Sequence, residues 1–220
     1  MTRKTSPASA APAPARPAGP GRPKDLAKRA SILDAAKRLF VEQGYQGVSM
    51  DQIAAAAGVS KLTVYSHFGD KETLFSAAIA AKCREVLPDD LFVRPPDGPL
   101  HDQLCAIGHA FFRLITSEEA ISMHRMMSTP GTAENDLREL FWEAGPRRTQ
   151  EVFGGFLQAC VDAGQLRIDD VPLASSQFFS LLKGELHPML ICGLRAGHGP
   201  GEVARHIDAT VEFFLRAYAA

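Results

Sequence analysis

Between residues 60 and 71 the chain reads Ser-Lys-Leu-Thr-Val-Tyr-Ser-His-Phe-Gly-Asp-Lys. Ser60 suits the N-cap of a helix and Gly69 its end, so the spacing predicts a short helix running to about Phe68. Val64 and Phe68 are four residues apart and face a core. Leu62, Thr63, Tyr65 and Ser66 then face mostly outward, with Lys61 and His67 on the flanks. Cations, small hydroxyls and a phenol on one exposed face are groups that phosphate oxygens and base edges can take up. Asp70 caps the next helix and puts Lys71 in its first turn. A cation opposes the dipole there, unless an anion such as phosphate joins it and uses the free N–H groups.

The elements that must hold this face precede it. Ser49 and Gln52 have the spacing of a capping box. Met50, Ile53 and Ala57 fall on one side of a helix that Gly58 can end. Two helices joined by a short Gly-containing turn form a helix-turn-helix pattern, in which the second helix enters the major groove. A first helix is expected over about Asp25 to Gln43, with Ile32, Leu33, Ala36, Leu39 and Phe40 as its apolar stripe. The helix that Asp70 starts should run to about Leu87, from the reading face into the remainder of the chain.

Charge supports this division. The chain of 220 residues carries 24 Lys and Arg against 25 Asp and Glu. Residues 1–71 hold 11 cationic and 5 acidic side chains; residues 72–220 hold 13 and 20. A basic front on an acidic body points to a polyanion partner for the front alone. Residues 1–23 are rich in Ala and Pro and too poor in apolar surface to fold, so they form a basic disordered tail. Arg22 abuts the first helix, where a basic arm can reach a minor groove. No apolar run reaches the length of a membrane span, and the N-terminus lacks the apolar segment of a secretory signal. The four cysteines, Cys83, Cys105, Cys160 and Cys192, show no CxxC spacing and suit a reducing cytoplasm. There is no nucleophile elbow, phosphate loop or metal motif, so neither an enzyme nor a cofactor is expected.

Beyond Leu87 every periodic stretch is helical. Pro88 to Pro99 is expected as a loop, followed by helices over Leu100 to Thr116, from Ser117 to about Met127, and over Ala133 to Ala144. Gly145-Pro146 should break the chain before a helix that closes at Ala163-Gly164. A long helix begins after Asp170, with a kink at Pro188. The last helix spans about Glu202 to Tyr218, with apolar residues on more than one face, as for a helix that meets a partner. The fold class is therefore all-α. Phe111, Met123, Met126, Phe141, Trp142, Phe153, Phe178 and His187 come from helices that would surround one bundle core. Together they are candidates for a pocket taking a small apolar or aromatic molecule.

The run from Ala56 to Phe75, extended back through Gly44-Tyr45-Gln46-Gly47-Val48-Ser49-Met50-Asp51-Gln52-Ile53-Ala54, resembles the DNA-binding signature of the TetR family of bacterial repressors over about residues 22–80. Arg125-Met126-Met127, Phe141 to Arg148 and Gln177 to Leu186 resemble, more loosely, the AefR-like regulatory domain of that family. The resemblance implies a three-helix helix-turn-helix domain at 24–80 and a larger helical regulatory and dimerisation domain at 81–220. It places Ser49, Lys61, Tyr65, His67 and Lys71 at phosphate-contacting positions and Leu62, Thr63 and Ser66 near bases, and it adds Arg22. Leu62 departs from the small residue common there; its apolar side chain either touches a thymine methyl or keeps other bases out. The resemblance further implies a homodimer joined through the last two helices, which presents two reading helices to a palindromic operator ~34–36 Å apart or more, and release by a small-molecule effector. The alternatives are a DNA-binding protein that recruits partners without regulating, and a regulator that senses redox state through its cysteines.

Overall fold

The computed structural model describes residues 25–93, 99–129 and 135–220. The basic tail and Arg22 lie outside these residues. Four helices form the N-terminal unit: α1 (Leu26–Gly47), α2 (Met50–Ala56), α3 (Lys61–Phe68) and α4 (Lys71–Val86). Seven more follow: α5 (Leu100–Ile115), α6 (Glu118–Ser128), α7 (Asn135–Trp142), α8 (Arg148–Asp162), α9 (Val171–Lys183), α10 (Leu186–Ile191) and α11 (Pro200–Tyr218).

The caps fall where side-chain chemistry demands. Asp25, Ser49, Ser60, Asp70, Ser117 and Asp170 each accept a backbone N–H of the first turn that follows them, groups that would otherwise have no intrahelical partner. The Ser49–Gln52 capping box is complete. Gly69 sits at φ 79°, a region that β-carbon sterics close to most residues, and this lets α4 leave α3 after a one-residue turn plus its cap.

Two apolar cores result. The first joins Ile32, Leu39 and Phe40 of α1 to Ile53, Val64, Phe68, Leu74 and Phe75, and it also takes Met123 and Met127 of α6 and Leu137 of α7. The head is thus completed by side chains from beyond α4. Within it Phe40, Tyr45 and Phe75 pack ring against ring at 5.2–5.7 Å between centroids. The second core is built by α5, α8, α9 and α11 around Phe112, Phe153, Phe178 and Phe214, all nearly fully buried.

Three expectations from sequence need correction. The stretch after Pro88 is not all loop, because Asp89–Phe92 form a 3-10 turn. Gly145-Pro146 does not break the chain: a π-helical turn over Glu143–Arg147 carries α7 into α8. The wider turn accommodates a proline that has no N–H for the carbonyl four residues back, and the Thr149 hydroxyl donates to the Gly145 carbonyl at 2.9 Å. The break after α9 comes at Gly184 rather than at Pro188. Gly184 has φ 46°, and a β-carbon on it would lie 2.7 Å from the His206 ring. Pro188 then sits in the first turn of α10, where its missing donor costs least. Among the described residues an isolated antiparallel bridge also pairs Leu166 with Ala219, which joins the end of the described chain to the α8–α9 connector.

Candidate nucleic-acid interface and effector cavity

The outer face of α3 presents Leu62, 79% exposed, and Tyr65, 41% exposed. Val64 and Phe68 are the residues of α3 that are buried, so the helix is anchored without Leu62. The polar side chains around it are pre-ordered by local bonds. The Thr63 and Ser60 hydroxyls lie 2.8 Å apart, and the Ser66 hydroxyl donates to the Thr63 carbonyl at 2.8 Å. The Ser49 hydroxyl donates to Gln52 Oε1 at 2.9 Å and accepts the Gln52 N–H at 3.2 Å.

The cations are less free than their spacing implies. Lys61 Nζ lies 3.0 Å from Asp51 Oδ2, bridging α3 to α2, and that bond holds the Lys61 pKa above its ordinary value. Lys71 Nζ stands 4.1 Å over the Tyr45 ring, and partial burial lowers its pKa. Asp70 accepts the Thr73 N–H at 2.7 Å, so one donor at the start of α4 is already used by its own cap. His67 is half-buried, with Nδ1 enclosed and, among the described residues, without a hydrogen-bond partner. The structure thus gathers Ser49, Lys61, Leu62, Thr63, Tyr65, Ser66, His67 and Lys71 on α3 and its two flanking helix starts, while Arg22 lies outside the described residues.

A cavity of about 530 Å³ opens where the head meets the second bundle. This is an ordinary size for a small-molecule site, and junctions between units are favoured places for one. One wall belongs to the head: Phe40 and Val41 of α1, and Ala78, Ile79, Lys82 and Cys83 of α4. The opposite wall comes from α5 (Phe111, Leu114, Ile115), α6 (Met123, His124), α7 (Phe141, Trp142), the π turn and α9 (Phe179, Lys183). Phe111 and Phe179 pack at 4.5 Å.

Of the eight pocket candidates, the cavity wall includes Phe111, Met123, Phe141 and Trp142. The other four sit elsewhere. Phe153 and Phe178 stack at 4.7 Å in the interior of the second core, because α8 and α9 turn those positions toward each other. Met126 packs on the head core. His187 lies behind His124, its ring 5.3 Å away. Sequence reasoning missed the whole head-side wall, and with it Phe179, His124 and Lys183. A signal existed for Lys183: it is a cation one turn beyond Phe179, on a helix whose stripe is otherwise apolar.

Burial raises the pKa of both Cys83 and Cys105, which lowers the thiolate fraction that oxidation chemistry requires. No helix among the described residues is long and apolar enough to cross a membrane.

Comparison with known proteins agrees with this architecture. Residues 32–78 match the bacterial regulatory proteins of the tetR family, and residues 102–220 match the AefR-like transcriptional repressor C-terminal domain. Among solved structures, a TetR-family regulator from Mesorhizobium loti is 27% identical over 90% of this chain and 100% of its own, with a TM-score of 0.73. The flavonoid-responsive regulator FrrA is 32% identical over 89% of this chain and 98% of its own, with a TM-score of 0.67. The curated HTH-type transcriptional repressor AcnR of Corynebacterium glutamicum is 38% identical over 82 residues, 36% of this chain and 44% of its own length. The chain therefore spans less than half of that relative. The HTH-type transcriptional activator FasR of Mycolicibacterium smegmatis is 44% identical over 69 residues, 29% of this chain and 31% of its own. These relatives are DNA-binding regulators of transcription and not enzymes, and the chain belongs with them to the TetR family, carrying an AefR-like C-terminal domain.

Proposed function

We propose that the protein is a cytoplasmic repressor that binds a palindromic operator as a homodimer and is released by a small, largely apolar or aromatic effector. One observation carries the reading. The cavity shares α4 with the head: Leu74, Phe75 and Ala78 are in the head core, and the next turn supplies Ile79, Lys82 and Cys83 to the cavity wall. A molecule that shifts this part of α4 must also move Lys71, at the start of the same helix beside α3. Ligand and DNA then select different arrangements of one rigid element.

The phosphate contacts fall to Ser49, Lys61, Tyr65, His67 and Lys71, and the base contacts to Leu62, Thr63 and Ser66. Dimerisation is supported by the apolar side chains left exposed on α9 and α11: Leu173 is 50% exposed and Phe213 is 61% exposed. Leu181 and Phe213 line the same two shallow depressions between these helices. An aromatic effector is supported by the Phe, Met and Trp side chains of the wall and by the name of FrrA, which describes it as flavonoid-responsive.

The test is a gel-shift titration on the DNA flanking the protein's own gene, with random-sequence competitor, repeated with a panel of apolar and aromatic compounds. A discrete, competitor-resistant shift that one class of compound abolishes is the expected result. Binding titrated away equally by random DNA would refute a specific operator at that locus.

A further inference from the structure

We propose that the effector is an amphipathic acid, an apolar body carrying a carboxylate, sulfonate or ionised phenol, and that Lys183 is the residue that holds its anionic group. The inference rests on the reading of the cavity as the effector site and adds the chemistry of the ligand. Three cations on the wall are already accounted for. Lys37 pairs with Asp34 at 2.9 Å and Glu85 at 3.0 Å, Lys82 stands 3.9 Å from Glu119, and Arg38 is exposed to solvent. Lys183 differs. It is half-buried on the last turn of α9, one turn after Phe179, and among the described residues it has no ion pair and no hydrogen bond. The wall's acids, Asp34, Glu42, Glu85 and Glu119, come from α1, α4 and α6, and none of them pairs with it.

A cation taken partly out of water without a counter-charge is costly, and cations in such places are generally paired. Its position in the last turn of α9 gives it the favourable end of the helix dipole, which eases the charge without satisfying its three donors. The rings nearby do not supply an anion. His124 lines the same cavity, and its Nδ1 lies 2.8 Å from the Ala120 carbonyl. His187 packs edge-on behind it, with Nε2 buried and, among the described residues, without a hydrogen-bond partner. Burial depresses Lys183 and both imidazoles, so this end of the cavity holds an unmatched cation beside neutral rings. An acid with an apolar body satisfies both the charge and the aromatic wall of Phe111 and Phe179.

Two probes with the same rings test this: 8-anilinonaphthalene-1-sulfonate, which is anionic, and N-phenyl-1-naphthylamine, which is neutral. Trp142 is the single tryptophan and lines the cavity, so energy transfer from it reports occupancy of this site in the full-length protein. Lys183→Met, with Lys183→Gln as a second variant checked for folding by circular dichroism, is expected to weaken the anionic probe about tenfold or more, the size of a lost hydrogen bond to a charged group. The neutral probe should change less than about twofold, and Lys183→Arg should restore most of the anionic binding, because the charge is kept. Equal weakening of both probes would make Lys183 a packing residue, and no change in either would remove it from the site; both results overturn the proposal while leaving the cavity reading intact. Failure of both probes to quench Trp142 in the wild type would overturn the cavity reading and this inference together.

Discussion

Lys61 offers a sharp test of the nucleic-acid face, because the structure gives it two competing partners. Its ammonium lies 3.0 Å from Asp51, and both side chains are more than half exposed. Exposed pairs of this kind contribute little to stability, so Lys61→Ala should leave the head folded, with an unchanged circular dichroism melt. Its effect should appear in DNA binding. Each phosphate contact made by a lysine contributes about 0.9 to the slope of log affinity against log salt. The two protomers of the proposed dimer lose two contacts, so the slope should become shallower by about 1.8. Over a fourfold rise in salt, from about 50 to about 200 mM, the wild type should therefore lose about tenfold more affinity than the variant. Asp51→Asn should act in the opposite sense, raising affinity at low salt by removing a carboxylate from the surface and leaving Lys61 free for phosphate. Gel-shift or fluorescence-anisotropy titrations on an operator duplex across this range would measure both variants. An unaltered salt slope for Lys61→Ala would show that the lysine stays with Asp51 and does not touch the backbone, and the proposed docking of α3 would be wrong.

Three further predictions follow from packing and charge. A β-carbon on Gly145 would lie 3.1 Å from Ile79 Cγ2 and 3.7 Å from Cys83 Sγ, so Gly145→Val should overpack the contact with α4 by ~1–3 kcal/mol; a thermal melt as high as the wild type would refute that close approach. If the proposed dimer forms through α9 and α11, Phe213→Asp on the exposed face of α11 should give a monomer in sedimentation equilibrium and abolish the specific gel shift, and a dimer that survives it would place the interface elsewhere. Burial, with His124 and Lys183 adjacent, pushes His187 down from 6.5 to about 4. The unfolded chain then binds the proton more tightly than the folded one, so this residue costs stability as pH falls from 6.5 toward 4 and costs nothing above that window. The shift corresponds to a loss of about 3 kcal/mol. Urea titrations of wild type and His187→Gln at several pH values should show this slice of acid sensitivity in the wild type alone.

The head was legible in the sequence because its signals are local. Ser49, Ser60, Gly69 and Asp70 act within four residues of themselves, and caps and turns of that range fix element ends before any tertiary contact forms. The interruption at Gly145-Pro146 was misread for the opposite reason. Taken alone, Gly-Pro ends a helix, but here α4 packs so close that a β-carbon at 145 would lie 3.1 Å from Ile79 Cγ2, and the chain passes it in a π turn. The same applies at Gly184, where the His206 ring from α11 occupies the space of a side chain. The pocket was half legible. Periodicity identifies inward faces without saying whether an inward side chain meets a neighbour or a void, so Phe153 and Phe178 looked no different from Phe111. The head-side wall could not be read at all from sequence distance, since Phe40 and Lys183 are 143 positions apart and meet one cavity only through the docking of the two units.

That docking sets the energetic requirement on any effector. Met123 and Phe141 line the cavity and also pack on the head core, so a ligand cannot spread the walls without disturbing side chains that hold α1 and α4. Head and cavity thus share side chains, and under the proposed function ligand and operator compete for one arrangement. Moving a two-state equilibrium from 1:99 to 99:1 requires about 10⁴-fold preferential binding, or ~5.5 kcal/mol. The proposed homodimer would have two cavities, so each effector molecule needs only about a hundredfold preference for the released arrangement. A charge contact to Lys183 that forms fully in only one arrangement would contribute about tenfold of that. The remaining tenfold is within reach of apolar area on Phe111, Phe179 and Trp142 that becomes covered when α4 shifts, since burying some 50–60 Å² is enough at about 25 cal/mol per Å². An effector lacking the acidic group would have to find the whole hundredfold in apolar contact, about twice that area, and so should be a larger molecule or a weaker inducer.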